Sequence, residues 1–91
     1  MKYRIHQTTQ FSKDVKRVNR RGRDLLKLTG IINQLAAGNA LPVANKDHVL
    51  SGDWAGYREC HIEPDWLLIY CVKEETLVLT LTRTGTHSDL F

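Results

Sequence analysis

The run WLLIYCV, Trp66–Val72, decides the fold because it is the longest stretch of consecutive apolar residues in the chain. An apolar run of this length, bounded by turn residues, is typical of a strand that is buried on both faces. Pro64 and Asp65 form a turn signal before it, and the charged residues 73–75 turn the chain after it. We therefore expect Trp66–Val72 to be the central strand of a small sheet.

A further strand is expected on each side of this run in the sequence. Tyr57–Glu63 alternates so that His61 lies on the side opposite Cys60, which looks like a core residue. Thr76–Arg83 also alternates, with its leucines directed inward. Arg83 shares the parity of these leucines, so its side chain must lie past the rim of the core or beyond a β-bulge.

The first part of the chain predicts one strand and one helix. Lys2–His6 alternates in polarity, which is typical of a short strand. Thr8 or Thr9 can cap the helix that follows, and Gly22 can end it. The apolar residues of this helix recur at helical spacing on one face: Phe11, Val15 and Val18.

A second helix is expected after Asp24, whose side chain can cap it. Its apolar stripe consists of Leu25, Leu28, Ile32 and Leu35. Gly38 and Asn39 end it, and the short connection between the two helices predicts an antiparallel hairpin. Residues 40–56 contain one proline and two glycines with little periodicity, so we expect a long loop, a kind of segment that often carries function.

These elements predict an α+β fold, in which an N-terminal strand and an antiparallel helical hairpin pack on a small, twisted, mainly antiparallel β-sheet. The 91 residues suffice for one domain, residues 1–91, with a single core. The first ten residues lack the apolar run of a signal peptide, and no stretch approaches the roughly 20 apolar residues of a membrane span. We expect a cytoplasmic protein that does not associate with membranes.

The basic residues are concentrated at one end of the chain. Residues 1–27 hold nine of the thirteen Lys and Arg residues and only two acidic residues. The remainder holds four basic and eight acidic residues. This asymmetry indicates an anionic partner, most commonly nucleic acid, although a solvated helix face explains it equally well.

Three of the four histidines lie in the second half of the chain, at His48, His61 and His87. The unperturbed pKa of histidine, about 6.5, lets one ring accept a proton near neutral pH while another donates one. RNA cleavage without metal needs such a base and acid, together with a cation that stabilises charge on the phosphate. Asp65 is a further proton-transfer candidate, and Arg83 is a candidate bidentate phosphate ligand.

Each of these residues also has a simpler explanation. The histidines could be unrelated surface residues, and Asp65 could serve only its turn. Trp66 and Phe91 could stack on bases, but a core position explains Trp66 and a frayed chain end explains Phe91. No cysteine or histidine pair has zinc spacing, so we expect no metal and no cofactor.

Two segments resemble the YafQ branch of the RelE superfamily: KDHVLSGDWAGYRECHIEPDWLLIY at residues 46–70, and RTGTHSDLF at residues 83–91. The close resemblance covers Lys46–Phe91. The first half is similar in architecture and in the short motif FSKDVK at residues 11–16. Members of this family are bacterial toxins of type II toxin–antitoxin pairs, which act as ribosome-dependent endoribonucleases on mRNA.

The resemblance implies a RelE-like fold and attack by the ribose 2′-OH on the adjoining phosphate, leaving a 2′,3′-cyclic or 3′-phosphate and a 5′-OH. The active-site positions that it implies are His48, His61, Asp65, Arg83, His87 and Phe91. His87 would be the general acid, with Asp65 or His48 as the base. His61 would help to hold the phosphate, and Arg83 would neutralise the transition state.

The implied partners are mRNA on the ribosome, ribosomal RNA and a cognate antitoxin, with DNA contacted only indirectly through the antitoxin complex. The residues that we expect to bind nucleic acid are Lys13, Lys16, Arg17, Lys46 and Trp66. The competing hypothesis is a noncatalytic module of the same fold that binds RNA or a protein partner. Such a module would use the basic residues and the aromatics, but it would gain nothing from His48, Asp65 and His87 together.

Overall fold

The computed structural model describes every residue from Met1 to Phe91. The strands are β1 (Arg4–Gln7), β2 (His48–Val49), β3 (Arg58–Glu63), β4 (Trp66–Lys73) and β5 (Val78–Gly85). The helices are α1 (Thr9–Arg20), α2 (Leu25–Ala36) and α3 (His87–Leu90), and short 3-10 turns occupy Val43–Asn45 and Gly52–Trp54. None of the helices is long and apolar enough to cross a membrane.

The predicted caps set the bounds of the first two helices. The Thr8 hydroxyl accepts a hydrogen bond from the Phe11 N–H at 3.0 Å, and the Asp24 carboxylate accepts one from the Leu26 N–H at 3.0 Å. Each cap therefore satisfies a backbone donor that has no partner inside the helix. Gly22 follows the end of α1 with φ +82°, a left-handed conformation that glycine adopts without steric cost.

The five strands form one sheet in the order β1-β5-β4-β3-β2. The β1–β5 pair is parallel, and the other three pairs are antiparallel. A parallel pair needs a long crossover connection, and the chain between β1 and β5 contains both α1 and α2. The predicted α+β class, with helices on a mainly antiparallel sheet, is confirmed.

Both faces of the central strand β4 are covered, as its apolar sequence predicts. The face toward α1 and α2 carries the larger core, whose members include Phe11, Val18, Leu28, Trp66, Leu68, Tyr70 and Leu79. On the opposite face, Leu67 and Ile69 pack with Leu90, and partly buried Leu50, Trp54 and Tyr57 pack against them. Full burial of one such side chain stabilises the fold by about 1.5–3 kcal/mol.

The structure adds to or departs from the sequence predictions at three places. Residues 40–56 are not a plain loop, because they contain β2 and two 3-10 turns. The last residues form α3, whose capping box joins Thr86 and Asp89. The strand β5 begins at Val78 instead of Thr76, because Leu77 turns the chain with φ +53° and stays 46% exposed instead of pointing inward.

A β-bulge gives Arg83 its position, as the sequence requires. Tyr70 pairs with Leu81 while Ile69 pairs with Arg83, so Thr82 is an extra residue on β5. The extra residue changes the alternation, and Arg83 no longer shares the orientation of Leu81. The guanidinium therefore lies at the sheet margin, partly exposed, instead of inside the core.

Trp66 does not stack on RNA bases, and this part of the sequence prediction is wrong. Its side chain is fully buried in the core under the helices. The indole N–H donates a hydrogen bond to Thr84 Oγ1 at 3.0 Å, so the polar end of the ring is satisfied inside the protein. With no face of the ring open to solvent, the residue contributes to stability.

Replacement of Trp66 by Phe should lower the free energy of unfolding by about 1–3 kcal/mol, since it leaves a cavity and removes the donor to Thr84 Oγ1. Urea unfolding measures this change. At a temperature where the variant is folded, its affinity for RNA should equal that of the wild type. A stable variant with weakened RNA binding would instead restore the stacking role.

Candidate active site

One row of residues runs across β2, β3, β4 and β5. It lies on the face of the sheet opposite α1 and α2, called the second face below. His48 lies opposite Glu59, Glu59 lies opposite Ile69, and Ile69 lies opposite Arg83. Neighbouring strands are about 4.8 Å apart, so Glu59 and Arg83, with one strand between them, are about 10 Å apart in the backbone. The register thus places a histidine, a carboxylate and an arginine along one line.

A second row lies beside the first. His61 pairs with Leu67, and Leu67 pairs with Gly85, two residues before His87. The ring centroids of His61 and His87 are 5.8 Å apart. Gly85 has no room for a side chain, because a Cβ there would lie 2.8 Å from the Asp89 carboxylate. Glycine at this position therefore lets α3 turn back over the sheet.

Asp65 holds His87 by two contacts. Its Oδ1 lies 2.8 Å from His87 Nδ1 and accepts a second hydrogen bond from the His87 backbone N–H at 3.1 Å. The hydrogen bond from the His87 ring, followed by that from its backbone, lowers the pKa of the Asp65 carboxyl below its usual value. Asp65 is thus ionised near neutral pH and accepts hydrogen bonds only.

Main-chain carbonyl oxygens hold the other two rings. His48 Nδ1 lies 2.6 Å from the Lys46 carbonyl oxygen, and His61 Nδ1 lies 3.2 Å from the Pro64 carbonyl oxygen. Their Nε2 atoms approach one shared oxygen, Glu59 Oε1, at 3.6 Å and 3.8 Å. His48, His61 and His87, called the histidine cluster below, therefore meet at one place.

The partners of the histidine cluster determine which nitrogen carries the proton in each neutral ring. A carbonyl or an ionised carboxylate oxygen can only accept, so each Nδ1 must be the donor. Each Nε2 is then an unprotonated acceptor when the ring is neutral. Each of the three rings is thus held at Nδ1, which leaves Nε2 as the nitrogen that can take up or release a proton.

Glu59 is a member of the site that the sequence prediction missed. Its side chain is buried, and its Oε1 lies between the Nε2 atoms of His48 and His61. One signal was present in the sequence, because Glu59 and His61 have the same parity on their strand and must face the same side.

A buried carboxylate holds the guanidinium of Arg83. Asp14 Oδ2 accepts from Arg83 Nε at 2.8 Å, and Asp14 Oδ1 accepts from Arg83 Nη2 at 3.2 Å. Arg83 Nη1 makes no hydrogen bond within the chain. Arg17 Nη2 also donates to Asp14 Oδ1, at 2.6 Å, and the Arg17 side chain stays 30% exposed, so its role as an RNA ligand stays a prediction. The other predicted basic ligands, Lys13, Lys16 and Lys46, are exposed.

Three aromatic side chains border the histidine cluster on the second face. Trp54 packs edge-on against Tyr57, with ring centroids 5.3 Å apart, and against Phe91, at 6.4 Å. Phe91 packs against Trp54 on one side but is still 60% exposed, so a base could stack on its ring. The sequence prediction included Phe91 but missed Trp54 and Tyr57, which looked like ordinary loop and strand residues.

The short helix α3, which carries His87, is held to α1 by an ion pair. Arg21 donates two hydrogen bonds to the Asp89 carboxylate, at 2.7 Å and 3.2 Å. Asp89 also accepts from the Thr86 N–H at 2.9 Å, which completes the capping box of α3. The Arg21 guanidinium, helped by the Thr86 hydrogen bonds, holds the pKa of Asp89 far below its usual value.

The whole chain matches one known family. The sequence model of YafQ, described as a bacterial toxin of a type II toxin–antitoxin system, matches residues 3–91. The chain belongs to the YafQ toxin family. It is 44% identical over 88 residues to the mRNA interferase toxin YafQ of Escherichia coli K12, which covers 96% of this chain and 94% of that protein.

Solved structures of YafQ toxins share the fold closely. The YafQ chain in the Escherichia coli DinJ–YafQ complex superposes with a TM-score of 0.90, at 43% identity and 98% coverage of both chains. A metal-bound toxin from Helicobacter pylori superposes with a TM-score of 0.92, at 40% identity over the full length of both chains. The RelE-like fold that the sequence implied is therefore confirmed.

Three residues of the site could together hold a metal ion. Glu59, His61 and His87 each offer one ligand atom, and these atoms lie within 4.8 Å of one another. Imidazole nitrogen and carboxylate oxygen are common ligands of first-row transition metals, so the residue types fit such an ion. The expectation that the protein needs no metal stays a prediction.

The stability of the toxin should fall at low pH, partly through Asp89. The pKa of Asp89 is lower in the folded state than in the unfolded state. Ionised Asp89 therefore contributes fully to the free energy of unfolding above its unfolded pKa, about 3.9. This contribution is lost as the pH falls toward the lower folded pKa. Arg21→Gln removes the main cause of the depression. Its melting temperature should therefore fall less steeply than that of the wild type below about pH 4.

Melting curves of both proteins over this pH range measure the difference. The other depressed carboxyls, Asp14, Glu63 and Asp65, are unchanged in Arg21→Gln and contribute equally to both curves. Two curves that stay parallel down to the lowest pH would contradict the assigned role of the Arg21–Asp89 pair.

Proposed function

We propose that this chain is a ribosome-dependent endoribonuclease that cleaves mRNA by transesterification and so inhibits translation. The observation that carries the proposal is the histidine cluster. In it, His48 and His61 approach one carboxylate oxygen with Nε2, and the His87 ring lies 5.8 Å from the His61 ring. Arg83 lies in the same row of paired residues as His48. Unrelated surface histidines would not each have Nδ1 bound by an acceptor, and two of them would not share one carboxylate oxygen. Family membership supports the same conclusion, since a relative with 44% identity bears the name mRNA interferase.

In the proposed reaction, His48 is the general base that removes the proton of the 2′-OH. Its Nδ1 is held by the Lys46 carbonyl, so the unprotonated Nε2 is available for that proton. Asp65, the other candidate base, is already committed to His87 by two hydrogen bonds. We therefore assign it to orientation, as in other carboxylate–imidazole pairs.

His87 is the proposed general acid, which protonates the 5′-oxygen as it leaves. Asp65 fixes the ring through Nδ1, and the ionised carboxylate can balance the charge of a ring that also carries a proton on Nε2. His61 helps to hold the phosphate in its protonated form, in which Nε2 donates to a phosphate oxygen. Arg83 stabilises the charge that develops on the phosphate, using the free Nη1. Phe91, exposed at the margin, would stack on a neighbouring base and so align the attack. These proton transfers do not require a metal.

We further propose a cognate antitoxin as the protein partner, since a toxin of the same family was solved in the DinJ–YafQ toxin–antitoxin complex. Any contact of this chain with DNA would be indirect, through that antitoxin. The exposed lysines of α1 would dock on ribosomal RNA, and Lys46, beside His48 in the sequence, would contact the mRNA backbone.

Replacement of His87 by Ala should reduce mRNA cleavage on ribosomes by about 10²–10⁴-fold, because it removes the proposed acid. Primer extension on a translated message locates and quantifies the cuts. Ribosome affinity should stay unchanged. His6→Ala is the matched control, since His6 is the one histidine outside the cluster and lies on β1, and it should cleave like the wild type. Equal cleavage by His87→Ala and the wild type would favour the noncatalytic binding module instead.

Loss of Lys13 and Lys16 should weaken ribosome binding and reduce its dependence on salt. Each phosphate contact that is lost should lower the slope of log affinity against log salt by about 0.7–0.9. Titrations of Lys13→Ala/Lys16→Ala at several salt concentrations measure this slope. Lys73→Ala, an exposed lysine on β4, is the control. An unchanged slope in the double variant would exclude α1 as the docking surface.

A further inference from the structure

Asp14 is a fully buried carboxylate that accepts five hydrogen bonds. Two come from Arg83, and one each comes from Arg17, Gln10 and the Thr84 backbone N–H. Burial by itself raises the pKa of Asp14, but the hydrogen bonds from Arg83, Gln10 and Thr84 outweigh it, and the pKa is lowered. The group is therefore an ionised acceptor inside the protein, placed between α1 and β5.

The geometry of this contact restricts the Arg83 guanidinium strongly. Nε and Nη2 are bound to the two oxygens of one carboxylate, which fixes both the plane and the direction of the group. The bulge at Thr82 places Arg83 at the sheet margin, and only Nη1 is left without an internal partner. The guanidinium is thus directed before any substrate arrives.

The charge balance also favours binding of an anion here. Arg17 and Arg83 both contact Asp14 Oδ1, so two guanidiniums face one carboxylate and a net positive charge remains. A partly buried arginine without a carboxylate partner would carry a desolvation cost. Asp14 reduces that cost without cancelling the positive charge that a phosphate would meet.

We propose that Asp14 is a positioning residue of the cleavage reaction, which directs Arg83 Nη1 toward the reacting phosphate. The inference rests on the proposed endoribonuclease function and extends it to a residue on α1, outside the histidine cluster. The alternative role is purely structural, because Asp14 also accepts from the Thr84 N–H and so ties α1 to β5. If Asp14 is a positioning residue, its effect on cleavage requires Arg83. If Asp14 is only structural, its effect on cleavage does not depend on Arg83.

A double-mutant cycle separates these roles. Asp14→Asn keeps the size of the side chain but removes its charge, and it should slow single-turnover cleavage on ribosomes by about 10²-fold, the effect expected when a positioned group is displaced by about 1 Å. Arg83→Ala should cause a loss at least as large. In the Arg83→Ala background, Asp14→Asn should cause no further loss, and ribosome affinity should be the same in all four proteins.

The matched control is Glu63→Gln. Glu63 is also a carboxylate between a helix and a strand that accepts from two cations, Arg23 and Lys27, but it has no contact with Arg83. Glu63→Gln should cleave like the wild type. If Asp14→Asn slows cleavage equally in the wild-type and Arg83→Ala backgrounds, Asp14 is structural and the inference is overturned, although the endoribonuclease function stands. If the wild type itself does not cleave, the proposed function fails first.

A second measurement applies even if Asp14→Asn does not fold. In Arg83→Ala, the intact Asp14 carboxylate should bind free guanidinium at millimolar concentration and restore cleavage at least tenfold, whereas methylammonium, which lacks the planar pair of donors, should not. Equal restoration by both cations, or restoration by neither, would overturn the inference. His87→Ala should not respond to guanidinium, which shows that any rescue acts at the Arg83 position.

Discussion

The site depends on one constraint, namely that the central strand β4 must be covered on both of its faces. The helical hairpin covers only the face that carries Trp66, Leu68 and Tyr70. Leu67 and Ile69 on the other face need a separate cover, which comes from Leu90 and from the segment around Trp54. These covering segments lie next to His87 and His48 in the sequence, so the burial of β4 brings the histidines together.

The same constraint explains why so small a domain can hold the rings precisely. Each ring of the histidine cluster is bound at Nδ1 by an acceptor on a neighbouring turn or segment: the carbonyls of Lys46 and Pro64, and the carboxylate of Asp65. Two of these acceptors are main-chain groups, which are fixed as soon as the sheet forms. Preorganised donors and acceptors need no rearrangement during a reaction, so the fold itself supplies part of the geometry that the proposed cleavage needs.

Electrostatic contacts then join the helices to this second face. Asp14 connects α1 to Arg83, and Arg21 connects the end of α1 to Asp89 on α3. The basic character of the first 27 residues therefore has two components. Arg17 and Arg21 form internal ion pairs, while Lys13 and Lys16 remain exposed and unpaired within the chain.

Periodicity and caps were sufficient to predict the two long helices, the central strand and the α+β class. They could not predict α3, because four residues are too few for a helical pattern, or the true start of β5, because a left-handed leucine is not visible in a sequence. The residue types and the resemblance pointed to the histidines and Asp65, which the fold brings near one another. Glu59, Trp54 and Tyr57 were missed, and Trp66 was misassigned, because their positions depend on contacts between distant segments.

Each of the three imidazoles of the cluster is held at Nδ1, which leaves Nε2 as the nitrogen that can exchange a proton. Long-range ¹H–¹⁵N correlation spectra of the histidine rings, recorded at a pH where the rings are neutral, test it most directly. We expect the Nδ1–H tautomer for His48, His61 and His87, with His6 free of this restriction. The Nε2–H tautomer at any ring of the cluster would contradict it.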